Sequence, residues 1–295
     1  MENYVPGNTK LVELKNIEKE FNINCRLFGK VENTNPSGSI KARPVYQMLL
    51  DYKKDGILKE DSIVVEATSG NTGIALAYYT KVFNYRLIIY MPKSMSEERR
   101  RMITSLGGEL CLVDGGMKEA EELASKRVKE DPKAFMFDQF NNKNNVKAHY
   151  LTTGPEIYKD LPTVKYVFGG IGTGGTVSGI AEYFSDNNLS VKVIGVEPFE
   201  SPLLTKHISG EHLIQGIGAN FVPSILRLDL LKDIEDVKSE ESIMMARKIR
   251  DIENIDVGIS SGAALLGAIS YIKRNNITNE DIVIIFPDKG DRYQW

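Results

Sequence analysis

Short apolar runs that end in glycine-rich or hydroxyl-rich turns, each followed by a helical stretch, recur along this chain. That alternation narrows the fold more than any other feature. Residues 62–66 (SIVVE) read as a buried strand that runs into Thr68-Ser69-Gly70-Asn71-Thr72-Gly73 and an apolar helix. Residues 86–91 (RLIIYM) repeat the pattern, stopped by Pro92 and followed by a charged helix over 96–106; residues 109–113 precede a helix over 117–129. Beyond the polar stretch 139–145 (QFNNKNN) the rhythm resumes with a strand at 164–168, a glycine loop at 169–176, a helix over 177–184 and a strand at 191–196. Residues 207–233 have weak periodicity and contain Gly216, Gly218 and Pro223, so they read as a loop-rich excursion. A helix over 240–251, another after Ser260 and a strand at 282–286 complete the series. Strand and helix alternating in this way predict an α/β protein with mainly parallel sheets covered by helices on both faces. Such sheets gather ligands at the carboxyl ends of their strands, where these turns fall.

A chain of 295 residues, 42% hydrophobic, can bury a sizeable core and form two lobes. The polar stretch 139–145 marks the candidate boundary between them. A net charge of -3 offers no basic surface, so a nucleic-acid partner is not expected. Cys25 and Cys111 form no CxxC pair, and His149, His207 and His212 show no ligand spacing, which argues against a structural metal or a disulfide framework. No apolar run approaches the roughly 20 residues of a membrane span, and residues 1–13 are polar. The expected setting is the reducing cytoplasm.

Three turns and one lysine stand out chemically. In Asn35-Pro36-Ser37-Gly38-Ser39-Ile40-Lys41-Ala42-Arg43-Pro44, Pro36 and Gly38 mark a turn, Ser39 can cap, and Pro44 suits a first helical turn. Lys41 therefore lies at a helix N-terminus, whose partial positive charge helps to lower an ammonium pKa and frees the amine for Schiff-base chemistry. The loop Gly170-Ile171-Gly172-Thr173-Gly174-Gly175-Thr176 enters a helix from a strand, a natural phosphate cradle. It also spells GxGxxG, with Glu197 ending the next strand, so a nicotinamide enzyme is the rival reading. The run from Thr68 to Gly73 could hold a small carboxylate, and Ser260 in Gly258-Ile259-Ser260-Ser261-Gly262-Ala263 could cap a helix.

Taken together, these stretches resemble the cysteine synthase (O-acetylserine sulfhydrylase) and cystathionine β-synthase family of fold type II pyridoxal-phosphate enzymes. Gly7-Asn8-Thr9, Thr153-Gly154-Pro155-Glu156, Gln215-Gly216-Ile217-Gly218 and Pro287-Asp288-Lys289-Gly290 extend the resemblance almost end to end. The resemblance implies a two-lobed, tryptophan synthase β-like fold, each lobe a mainly parallel sheet flanked by helices. Residues 1–34 and 146–295 would form the larger cofactor lobe, and residues 35–145 a smaller lobe that closes over the substrate carboxylate. It further implies that Lys41 holds pyridoxal 5'-phosphate as an internal aldimine, that Gly172, Thr173, Gly174, Gly175 and Thr176 bind its phosphate, and that Asn71 bonds its phenolic oxygen. Ser260 would face the pyridine nitrogen. Thr68, Ser69, Thr72, Gln139 and Gly216 would hold the amino-acid substrate.

The implied reaction is β-replacement through an aminoacrylate, O-acetyl-L-serine and sulfide giving L-cysteine and acetate, in a homodimer. The alternative is a relative that acts on cysteine or serine, releasing hydrogen sulfide or forming lanthionine or cystathionine. A non-catalytic binding protein is the reading of another class, and intact Lys41, Asn71 and Ser260 argue against it. Departures from the family pattern are Lys10 in place of a proline, Pro44 after Arg43, Asp256 where an apolar residue is usual, and the charged run after Pro223. If Asp229, Asp233 or Asp256 reached the reacting carbon, it could orient water and favour cysteine consumption.

Overall fold

The computed structural model describes residues 4–68 and 70–293. Its strands are β1 (Lys10–Glu13), β2 (Arg26–Val31), β3 (Ile63–Ala67), β4 (Arg86–Pro92), β5 (Glu109–Val113), β6 (Ala134–Met136), β7 (Val164–Gly170), β8 (Lys192–Pro198), β9 (Asp233–Val237) and β10 (Asp281–Phe286). Helices α1 (Lys15–Glu20), α2 (Ala42–Lys54), α3 (Asn71–Phe83), α4 (Glu97–Ser105), α5 (Met117–Glu130) and α6 (Asn144–Leu151) lie in the first half. They are followed by α7 (Thr153–Asp160), α8 (Gly175–Asp186), α9 (Leu203–Lys206), α10 (Ser239–Glu253) and α11 (Ile259–Arg274).

Two sheets result. One has the order β1-β2-β10-β7-β8-β9, and the other β5-β4-β3-β6. Every pairing is parallel except that of β1 with β2. The central strands β3 (IVVEA) and β10 (DIVIIF) are buried along their whole length, as strands covered on both faces must be. Leu14, Ile17, Met245, Ile249, Leu265 and Ile269 of the helical layer pack on one face of the six-stranded sheet, and Ile157, Val177, Ile180 and Phe184 pack on the other. In the four-stranded sheet α2, α3 and α4 cover one face, through Met48, Leu76 and Ile103, and Ala120 and Ala124 of α5 cover the other.

The expected alternation is present, with additions the sequence pattern did not signal. β6 spans three residues, too short for a periodicity, and the edge strand β9 (DIEDV) carries three acids. α6 and α7 occupy the polar stretch 144–160, where Asn, Thr and Gly mask the helical repeat. Residues 207–227 form the expected excursion apart from a 3-10 turn that follows at Leu228–Leu230. Cys25 and Cys111 are both free thiols. Among the described residues no helix is long and apolar enough to cross a membrane.

Candidate active site

The turn after β3, the loop after β7, the segment 214–218 and the starts of α2, α3 and α11 converge on one cavity of about 760 Å³. Lys41, Thr68, Asn71, Thr72, Gln139, Gly172, Thr173, Gly174, Thr176, Gly216 and Ser260 all line it. Gly175, also expected there, lies buried just behind the loop as the first residue of α8. Ser69 lies outside the described residues.

Lys41 occupies the N-cap position of α2. Its backbone N–H donates to Ser39 Oγ at 3.3 Å, and Ile40 N–H donates to the Pro287 carbonyl at 2.8 Å, which fixes the approach to the helix. Burial lowers the Lys41 pKa to about 8, so about a tenth of the amine is uncharged at pH 7, far more than for an ordinary lysine. Two residues further on, the side chain of Arg43 anchors the helix in a buried ion network. Its guanidinium donates to Glu32 at 2.6 and 2.8 Å and to both Glu156 oxygens at 2.7 Å. Lys30, itself buried, reaches Glu156 at 2.9 Å. Burial alone would raise Glu156; the bonds from Arg43 and Lys30 win and bring it down to about 2.

The glycine loop closes on α8. Gly174, in the left-handed region at φ +82°, is the N-cap, and the first amides of α8 follow it toward the cavity. A side chain at Gly172 would place its Cβ 2.3 Å from the Gly216 carbonyl oxygen, and one at Gly175 would meet Asn145 Oδ1 at 2.1 Å. Glycine is needed at both positions so that two loops and a helix can press together. Thr173 Oγ1 accepts from Asn145 Nδ2 at 3.1 Å and from Gly175 N–H at 3.3 Å. Thr176 Oγ1 lies 3.2 Å from His149 Nε2, whose Nδ1 contacts Thr153 Oγ1 at 2.9 Å. Burial, reinforced by the Arg43 and Lys41 charges, holds His149 well below its usual pKa, so the ring is neutral.

The opposite wall is joined to this loop. Thr72 Oγ1 donates to Gln139 Oε1 at 2.7 Å, and Asn145 Nδ2 donates to the Gln139 carbonyl at 2.8 Å as well as to Thr173. Asn145 thus ties the hydroxyl and amide loop to the glycine loop. Asn71 Nδ2 donates to Asp288 Oδ2 at 2.6 Å. Near the mouth Arg99 of α4 donates to Gln215 Oε1 at 2.6 Å and lies over the Tyr293 ring at 5.7 Å, a contact between the helical cover of one sheet and loops of the other.

Several assignments change with the geometry. Ser260 is the second residue of α11 and does not cap it; Gly258 holds that position, leaving the serine on the cavity wall. Asp229, Asp233 and Asp256 do not line the cavity. Asp229 pairs with Arg227, Asp256 with Arg250 at 3.3 Å, and Asp233 lies 3.7 Å from Arg274. The acids on the cavity wall are Glu121 and Asp288. Glu197, required by the nicotinamide reading, accepts instead from Leu204 N–H, Thr205 N–H and Thr205 Oγ1 at the start of α9. The stretch 139–145, read as a boundary for its polarity, contributes the buried Gln139 and Asn145. His149, Asn145, Arg99 and Asp288 escaped sequence reasoning. The available signals were the proximity of His149 to Thr153-Gly154-Pro155-Glu156 and the place of Asp288 in a quoted motif.

A half-buried lysine facing a helix-start glycine cradle, between two mainly parallel sheets, defines the class: an α/β enzyme that holds a phosphate-bearing carbonyl cofactor. The cavity fits such a group, because it pairs amides for an anion with an amine of lowered pKa. Residues 3–288 match the family described as "Pyridoxal-phosphate dependent enzyme". A cysteine synthase of Buchnera aphidicola subsp. Schizaphis graminum is 44% identical, over 97% of this chain and 91% of the relative. Cysteine synthase A of Escherichia coli K12 is 41% identical over the same shares. The crystal structure of a cysteine synthase from Entamoeba histolytica superposes with TM-score 0.96 at 39% identity, covering 99% of this chain and 89% of the other. That of a hydrogen sulfide-producing enzyme from Fusobacterium nucleatum gives TM-score 0.93 at 39% identity, covering 98% of each. The chain belongs to the cysteine synthase family of fold type II pyridoxal-phosphate-dependent enzymes.

Proposed function

We propose that the protein makes L-cysteine and acetate from O-acetyl-L-serine and sulfide. One observation carries this: a lysine of lowered pKa shares a single cavity with a glycine cradle and with a hydroxyl and amide loop. When bound, pyridoxal phosphate supplies an electron sink for negative charge at the substrate's α-carbon. Lys41 would hold its carbonyl carbon, and the Lys41 amine would take the α-proton of the substrate. Gly172, Thr173, Gly174, Gly175 and Thr176 hold the phosphate. Thr68, Ser69, Thr72 and Gln139 would orient the amino acid by its carboxylate, with Gly216 also binding the substrate, and Asn71 would donate to the phenolic oxygen. Ser260 would face the pyridine nitrogen, where a hydroxyl would not enforce protonation as a carboxylate does, favouring loss of the β-substituent over transamination.

The division into a larger lobe (1–34 and 146–295) and a smaller one (35–145) that closes over the substrate belongs to the same proposal, supported by the Arg99 to Gln215 contact across the mouth. Closure keeps water from the reacting carbon. We further infer a cytoplasmic homodimer, which sedimentation of the purified protein tests.

The likeness to the Fusobacterium nucleatum enzyme favours a second reading, in which cysteine is consumed and sulfide released. Titrating the yellow protein with O-acetylserine, cysteine and serine in turn, with sulfide assayed in each cuvette, separates the two. An absorbance change with O-acetylserine that sulfide reverses, with little sulfide from cysteine, supports synthesis. Prompt sulfide from cysteine supports the second reading, and a colourless protein after incubation with pyridoxal phosphate overturns both.

A further inference from the structure

Asp288 touches three separate parts of the cavity wall. Its backbone pairs with Ser39 in an isolated antiparallel bridge, two residues before Lys41. Its carbonyl accepts from Gly258 N–H at 3.1 Å, two residues before Ser260. Its side chain reaches the third part: Asn71 Nδ2 and the Tyr293 hydroxyl each donate to Oδ2 at 2.6 Å. On the other side of the same amide, Arg292 Nη1 donates to Asn71 Oδ1, while Arg292 Nη2 is fixed by the Ser37 carbonyl at 2.7 Å.

An asparagine amide can be turned over with almost no change of shape, and hydrogen-bond partners decide which way it points. Here turning it would set the NH2 against a guanidinium and the oxygen against a carboxylate. The oxygen therefore stays with Arg292, one N–H stays with Asp288, and the second N–H remains for the cavity that Asn71 lines. Stapling loops together does not account for the choice of a carboxylate. Asp288 is buried and its Oδ1 has no hydrogen-bond partner among the described residues, an arrangement that costs stability. Burial pushes the carboxyl up, and the two donors with the Arg292 and Arg99 charges hold it back.

We propose that Asp288 is a positioning residue that, with Arg292, locks Asn71 as a hydrogen-bond donor toward the cofactor's phenolic oxygen. The proposal rests on the role given to Asn71 above. The test is a double-mutant cycle of Asn71→Ala, Asp288→Ala and the combined variant. Equilibrium dialysis of cofactor-free protein gives the pyridoxal phosphate Kd, and the visible absorption maximum of loaded protein is followed against pH. Each single change is expected to weaken binding about tenfold and displace the absorption maximum in the same direction, the scale of one hydrogen bond to a charged group. The combined variant should be no worse than Asn71→Ala, since Asp288 acts through Asn71. Asp288→Asn, whose amide oxygen can accept the same bond, should recover most of the loss. Losses that multiply to about a hundredfold, or an Asp288→Ala protein with unaltered Kd and absorption, overturn the role of Asp288 while leaving Asn71 in place. If Asn71→Ala changes neither quantity, the placement of Asn71 fails and the proposal fails with it. Should Asp288→Ala not fold, Asp288→Ser, too short to reach the amide, takes its place in the cycle.

Discussion

The Thr72 hydroxyl donates to Gln139 Oε1 at 2.7 Å, so the first turn of α3 and the segment after β6 present one joined surface to the cavity. With its oxygen engaged, Gln139 keeps its NH2 as the donor for a substrate carboxylate. Gln139→Ala should raise KM for the amino-acid substrate about tenfold with a smaller change in kcat, the effect of one lost bond to a charged group. Steady-state kinetics at saturating sulfide check this. An unchanged KM would place the carboxylate elsewhere.

The low pKa of Lys41 has a kinetic signature in the cofactor-free protein. Only the uncharged amine adds to a carbonyl, so uptake of pyridoxal phosphate should accelerate as pH rises and level off above about 8. An ordinary lysine would still be gaining rate near pH 10. Stopped-flow absorbance over pH 6 to 10 distinguishes them, and Lys41→Ala should show no yellow product at any pH.

Gly172→Ala should lower both stability and cofactor affinity. The added Cβ meets a backbone carbonyl, Gly216, at 2.3 Å, so one of two chain segments must shift, at a cost of about 1–3 kcal/mol. Thermal unfolding with and without pyridoxal phosphate reads both losses. A variant with wild-type stability would mean that the two loops are not pressed together.

Acid should loosen the base of α2. Glu156 is held near 2, below its ordinary 4.5, by Arg43 and Lys30 against the opposing effect of burial. A depressed carboxyl stabilises the fold fully above about pH 4.5, and the contribution drains away as pH falls toward 2. Urea unfolding of Glu156→Gln across that window should show a flatter pH dependence than wild type. Parallel curves would assign acid sensitivity to other groups.

Asp229→Asn, Asp233→Asn and Asp256→Asn should leave the ratio of cysteine made to sulfide released unchanged, because all three acids lie away from the cavity wall. Product analysis by chromatography checks it, and a changed ratio in any one would reopen acid assistance.

The frame of the site was legible because its parts are local. A strand, a glycine run and a helix start lie within a dozen residues at Gly169–Thr176, and a turn with proline and glycine announces Lys41. What escaped depends on distant partners. His149 looked like an isolated histidine because Thr176, which it orients, lies 27 residues away. Asn145 sat in a polar run that reads as a linker, and only folding shows its amide spanning Gln139 and Thr173. The role of Asp288 depends on Asn71, 217 residues earlier. Charge patterning alone left the role of Asp229, Asp233 and Asp256 open, since it cannot tell a solvated carboxylate from one on a cavity wall.

The six-stranded sheet sets β10 between β2 and β7, so Arg26 and Asp281, 255 positions apart, are partners in register. During synthesis β2 can pair with β1 at once but must wait for residues 281–286 before it finds its parallel neighbour. Such long loops slow the search and leave apolar strand edges open meanwhile. The segment that completes the sheet also delivers Pro287 and Asp288 to the lysine turn. A nascent chain therefore cannot hold Lys41 in its working position, or capture the cofactor there, until residues 281–288 have emerged.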